Sequence, residues 1–126
     1  MASILKVDEM QGVTSVGDIT ITGEGTATMQ LQQGLAKVWV FGTDNVITDS
    51  LNTSSSTDVG TGEYTFTFTS ATATTNVAMS ACVNENQNLI VGRKSNTTSS
   101  YNIRIKNTSN TGTDANTGSS VHGDLA

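Results

Sequence analysis

Residues Glu63–Thr69 read EYTFTFT, and this run constrains the fold more than any other in the chain. A period of two puts Tyr64, Phe66 and Phe68 on one face and threonines on the other, the pattern of a strand half buried against a core. Just before it stands Asp58-Val59-Gly60-Thr61-Gly62. Two glycines around one residue raise the question of a phosphate loop. Such a loop needs a helix after it, whose N-terminal amides meet the anion. Here a strand follows, Thr65 stands where a dinucleotide fingerprint has its third glycine, and no Gly-Lys-Ser/Thr triplet occurs. Gly60-Thr61-Gly62 therefore reads as a backbone corner that launches a strand, glycine being the residue that tolerates positive φ.

Other segments follow the same grammar. Asp18–Thr22 (DITIT) alternates, and Thr26–Gln32 puts Ala27, Met29 and Leu31 on one side. Lys37–Phe41 (KVWVF) is apolar on both faces and should be a central strand. Asn45–Asn52, Asn76–Val83, Leu89–Lys94, Tyr101–Asn107 and a short Ser119–Asp124 complete the set. The polar stretches TSSSTDVGTG, NENQN, SNTTSS and NTSNTGTDANTG read as loops. No helical period is sustained, though Ser3 would cap a single turn near Ser3–Met10. The expectation is an all-β fold: an antiparallel β-sandwich, or a jelly-roll or barrel-like domain, of about eight or nine short strands. One β domain is expected over residues 18–126, after an N-terminal segment, 1–17, that makes docking or oligomer contacts. Trp39, Tyr64, Phe66 and Phe68 are the expected core markers.

That core would be thin. Hydrophobic residues are 35 % of the 126 and aromatics 5 %, while each fully buried large apolar side chain contributes only about 1.5–3 kcal/mol. Extra burial from self-association or from docking onto a larger body is expected. Charged residues are 13 % and β-branched residues recur, which separates the chain from disordered sequences. The net charge of −5 makes nucleic acid and anionic membranes poor partners. The N-terminus, MASILKVDEMQG, lacks the apolar run of a secretory signal, and nothing approaches the ~20 apolar residues of a membrane span. The expected place of assembly is a cytoplasm. The lone cysteine, Cys82, lies in VAMSACV and reads as a small buried hydrophobe. With no proline in the chain, edge strands must be guarded by charges or covered by an oligomer.

Candidate chemistry is sparse. His122, the one histidine, stands two residues before Asp124, but no Gly-x-Ser-x-Gly elbow accompanies it. One His and one Cys do not make a zinc site. Thr113–Gly118 offers Asp114 and Asn116, yet the later bidentate Glu of a calcium loop is missing. Neither a catalytic centre, a metal nor a cofactor is expected, and the chain reads as a non-enzyme. The remaining asymmetry is charge. Arg93, Lys94, Arg104 and Lys106, four of the six basic residues, fall on two neighbouring strand-like segments. If those strands pair, they carry a basic patch on an acidic body, which is either a solvated face or a dock for an acidic neighbour.

Lys37–Ala71, KVWVF…NVITDSLNTSSSTDVGTGEYTFTFTSA, resembles a module of small virion proteins and tail-fibre ends of marine bacteriophages, cyanophages above all. The matching pieces are Lys-x-Trp-Val, Asp-Ser-x-Asn-x-Ser-Ser and Thr-Asp-x-Gly-Thr-Gly-x-Tyr-Thr. The opening ASILKVDEMQ…GDITITGEG and the ending GDLA are similar too. Two departures stand out: KVWVF runs straight into GTDN, and Thr48 precedes Asp49 where Arg is frequent. The resemblance implies a non-enzymatic, β-rich, homotrimeric virion structural protein contacting other capsid or tail proteins. As a tail-fibre or receptor-binding head it would use loop tips on a host surface glycan or protein; as a capsid decoration or cement protein it would stabilise the shell. A carbohydrate-binding module unrelated to virions is a further reading. It needs exposed aromatics, for which Tyr101 and Phe41 are the expected candidates.

Overall fold

The computed structural model describes residues 6–10, 19–22, 28–84 and 88–126. Among these residues the chain forms β1 (Thr20–Thr22), β2 (Thr28–Gln30), one helical turn α1 (Leu31–Gly34), β3 (Val38–Thr43), β4 (Val46–Leu51), β5 (Thr53–Gly60), β6 (Glu63–Phe68), β7 (Ala78–Val83), β8 (Leu89–Asn96), β9 (Ser100–Asn107) and β10 (Thr117–His122). Two compact units result, Met1–Leu35 and Ala36–Ala126, so the main β domain begins at residue 36 rather than 18. In the first unit β1 and β2 pair antiparallel, with Ile21 opposite Met29. The alternation expected through Leu31 stops there because Leu31 opens α1. Ala27 and residues 3–5 of the turn expected at Ser3–Met10 lie outside the described residues, and Lys6–Met10 is irregular.

The second unit is a β-sandwich of two packed antiparallel sheets, as the sequence pattern predicts. The first sheet runs β4-β3-β10-β7 and the second β5-β6-β9-β8. Between them Val38, Val40 and Val121 from the first sheet meet Tyr64, Phe66, Phe68, Tyr101, Ile103 and Ile105 from the second. The Tyr101 ring lies between Phe66 and Phe68, with ring centroids 5.3 and 5.6 Å away. β3 is a central strand, as its apolar sequence requires.

Local chemistry explains the connections. Asp44 and Asn45, at φ 44 and 69, form the two-residue turn between β3 and β4. Asn52 alone carries the chain from the first sheet to the second. It sits at φ 55, and its amide binds Ser70 in both directions: Nδ2 donates to Ser70 O at 3.0 Å, and Ser70 N–H donates to Oδ1 at 2.6 Å. A single asparagine thus replaces a loop.

Three expectations need correction. The stretch TSSSTDVG is not a loop but β5, an edge strand whose exposed serines and threonines carry no apolar alternation. Trp39 is not a core marker: Val38 and Val40 point inward, so Trp39 and Phe41 project from the outer face of the first sheet, Trp39 half-buried and Phe41 exposed. Cys82 is exposed on that same face rather than buried, because Met79 and Val83 take the inward positions of β7. Tyr64, Phe66 and Phe68 are buried as expected.

The edges are managed without proline. Bulges interrupt β4 at Thr48, β5 at Ser54 and Val59, and β8 at Lys94. β7, the remaining edge of the sandwich, pairs with β10 in unbroken register and carries no charge.

Candidate binding surfaces

The Gly60-Thr61-Gly62 corner connects β5 to β6, with Gly60 at φ 154 and Gly62 at φ 72. Its surroundings are protein, not an anion cradle. Asp114, 52 positions downstream, accepts with Oδ1 from Gly62 N–H at 2.7 Å and from Tyr64 O–H at 2.9 Å. Ile105 N–H donates to Gly62 O at 2.7 Å. A Cβ on Gly62 would stand 2.5 Å from Ile105 O and 2.6 Å from Thr113 N, so glycine is required by space as well as by φ. Burial, then the hydrogen bond and negative charge of Asp114, push the Tyr64 phenol well above its ordinary range. The Gly-Thr-Gly-x-Tyr motif and Asp114 are therefore parts of one clamp that ties the β5–β6 corner to the segment entering β10. Among the described residues, no three His, Cys, Asp or Glu side chains gather as a metal site would require. His122 ends β10 opposite Ala78, half exposed.

The four basic residues do come together. β8 and β9 pair, placing Gly92 opposite Arg104 and Ile90 opposite Lys106. Tyr101, Ile103 and Ile105 face the core, so Arg104 and Lys106 project from the outer face of the second sheet. There they border an open groove of about 440 Å³ with Lys94, Arg93, Ile90 and the Asn107–Asn110 turn. The sequence did not reveal the acid that organises them. Glu63, at the start of β6, takes Lys94 Nζ at 2.7 Å on Oε2 and the Arg104 guanidinium on Oε1, and its side chain is only 12 % exposed. Its signal was positional: Glu63 shares the outward period of Thr65 and Thr67. Lys106 Nζ donates to Asn110 Oδ1 at 2.6 Å, and Arg93 Nη1 to Val77 O at 3.2 Å.

A second surface is the outer face of the first sheet. Trp39 lies beside Leu51 and Ser120, and Phe41 beside Asp49 and Gly118. Ser80 and Ser120 share a hydrogen bond at 2.8 Å, and Cys82 borders the same open surface of about 410 Å³. Small residues around two large aromatics leave the face broad and shallow. The bulge at Thr48 enlarges it, because it turns Ile47 to the core while Asp49 and Leu51 remain outside.

No protein family, curated protein or solved structure matches this chain. Tyr101, expected as an exposed aromatic, is buried; its hydroxyl bonds Ser119 Oγ at 2.7 Å, and burial raises its pKa to about 12. The exposed aromatics of the sandwich are instead Phe41 and, in part, Trp39.

Proposed function

We propose that this protein is a non-enzymatic structural component of a bacteriophage particle, carried outside the virion as a tail-fibre-type head that self-associates, as a homotrimer, through its first sheet. The outer face of that sheet carries the reading. Phe41 is 37 % exposed and Leu51 47 %, beside the half-buried Trp39, on a chain short of large apolar residues. Contiguous apolar surface of this kind marks an interaction site. The neighbouring β7 edge, unbulged and uncharged, supports the same conclusion, since such an edge invites pairing with another chain. The resemblance of Lys37–Ala71 to virion modules supplies the setting, and the commitment of Asp114, Gly62 and Tyr64 to holding the fold agrees with a structural role.

Solution mass by light scattering, for the native chain and for Phe41→Glu, tests the association. A native trimer that Phe41→Glu reduces to monomer is expected; a native monomer at all accessible concentrations refutes it. Peptide identification in purified particles tests the setting. Copy number separates the two virion roles: a few per particle fit a fibre, and hundreds move the assignment to capsid decoration.

A further inference from the structure

We infer that the groove over β8 and β9 is a binding site for an anionic glycan, one bearing uronate carboxylates. This rests on the reading of the chain as an exposed attachment head and names the class of ligand that head would take.

Charge complementarity is the first argument. Four cations, Arg93, Lys94, Arg104 and Lys106, border the groove, and among the described residues Glu63 is the one carboxylate paired with them, on a chain of net charge −5. Most of the chain's positive charge is gathered at this concavity, so an anion is drawn there and repelled elsewhere. Glu63 occupies one side of Lys94 and Arg104 and holds both against the sheet, which preorganises them at reduced entropic cost. Among the described residues Lys106 is engaged by the neutral Asn110 amide and by no carboxylate, so none of them offsets its charge.

Size and lining argue for a sugar. The volume of about 440 Å³ falls within the roughly 300–1,000 Å³ of small-ligand sites. Asn107, Thr108 and Asn110 supply neutral amide and hydroxyl groups beside the cations, suited to ring hydroxyls, and Ile90, 67 % exposed, supplies an apolar wall for a ring face. An acidic peptide is the less suitable occupant. A peptide that adds as a strand uses the free backbone edge of a sheet, whereas this groove lies on the face, and the β8 edge is broken by the Lys94 bulge.

Gly92 gives a clean test. It borders the groove, and a Cβ on it would meet nothing within 4 Å, so Gly92→Val narrows the site with a residue that suits a strand. Calorimetric titration of the isolated protein with tetragalacturonate, with its fully methyl-esterified and hence neutral form, and with a pentaglutamate peptide reads the specificity. Tetragalacturonate is expected to bind, with affinity falling at least about tenfold between about 50 and about 500 mM salt. Gly92→Val and Lys106→Gln are each expected to weaken it at least about tenfold, with unchanged melting temperatures and the other surface intact. Equal binding of the methyl ester, equal or tighter binding of pentaglutamate, full retention in both variants, or no binding at millimolar concentration overturns the assignment. None of these outcomes depends on virion membership, which particle composition decides separately.

Discussion

Asp114 decides what the Gly-Thr-Gly corner is for. Its Oδ1 holds the Gly62 amide and the Tyr64 hydroxyl together, so the phenol spends its one proton inside the clamp. Tyr101 is held in the core by a hydrogen bond between its hydroxyl and Ser119 Oγ. These are the chain's only two tyrosines, so its phenolate spectrum reports on nothing else. Burial raises both pKa values above the ordinary ~10, to about 12 for Tyr101 and further for Tyr64. A raised folded-state value means the native protein binds these protons more tightly than the unfolded chain does. The stabilisation is complete below pH ~10 and is lost as pH climbs toward 12. In an alkaline titration, the tyrosinate absorbance should therefore stay low until the β-sheet circular dichroism collapses, and the two should then change together. Ionisation of Tyr64 near pH 10 with the fold intact would contradict the clamp, and the same behaviour of Tyr101 would contradict its burial.

At the scale of the strand, facing direction sets the energetics. Phe66 is buried in β6 against the Tyr101 ring, and Phe66→Ala should cost about 3–5 kcal/mol in chemical denaturation. Trp39 is half-buried on the outside of β3, and Trp39→Ala should cost only about 1 kcal/mol in the dissociated chain. Comparable losses at the two positions would refute the orientation of β3. The contrast also explains how far the sequence could be read. β6 and β9 were legible because one face is wet and one dry, so the period of two survives in the residues. In KVWVF both faces are apolar, and period alone does not choose between Val40 and Trp39 as the inward residue. β5 was hidden because an exposed edge strand selects for no apolar pattern. Thr48 hid a bulge, which reverses the phase of β4 midway. The cationic patch was legible as two adjacent strands; Glu63, on a third strand, became its partner only once β6 lay beside β9.

For the whole molecule, the two candidate surfaces lie on opposite outer faces of the sandwich, Phe41 on one sheet and Gly92 on the other. Sites that far apart with no shared partner behave independently. Phe41→Glu should change the solution mass and leave tetragalacturonate binding intact, and Gly92→Val should do the reverse; cross-effects in either direction would show that the surfaces are coupled. An assembly built through the first sheet would then hold its grooves outward, one per copy.

The order β4-β3-β10-β7 has a temporal meaning as well. A ribosome releases β3 and β4 early and β7 later, but the strand that joins them, Thr117–His122, emerges after the other described strands. Until then the first sheet is two fragments, and Val38 and Val40 lack the Val121 they pack beside. The pairing of β10 with β3 spans most of the domain, the kind of long-range closure that folds slowly. The nascent protein therefore passes through a stage in which its first sheet is unfinished, and the sheet's outer face is completed only in a late step.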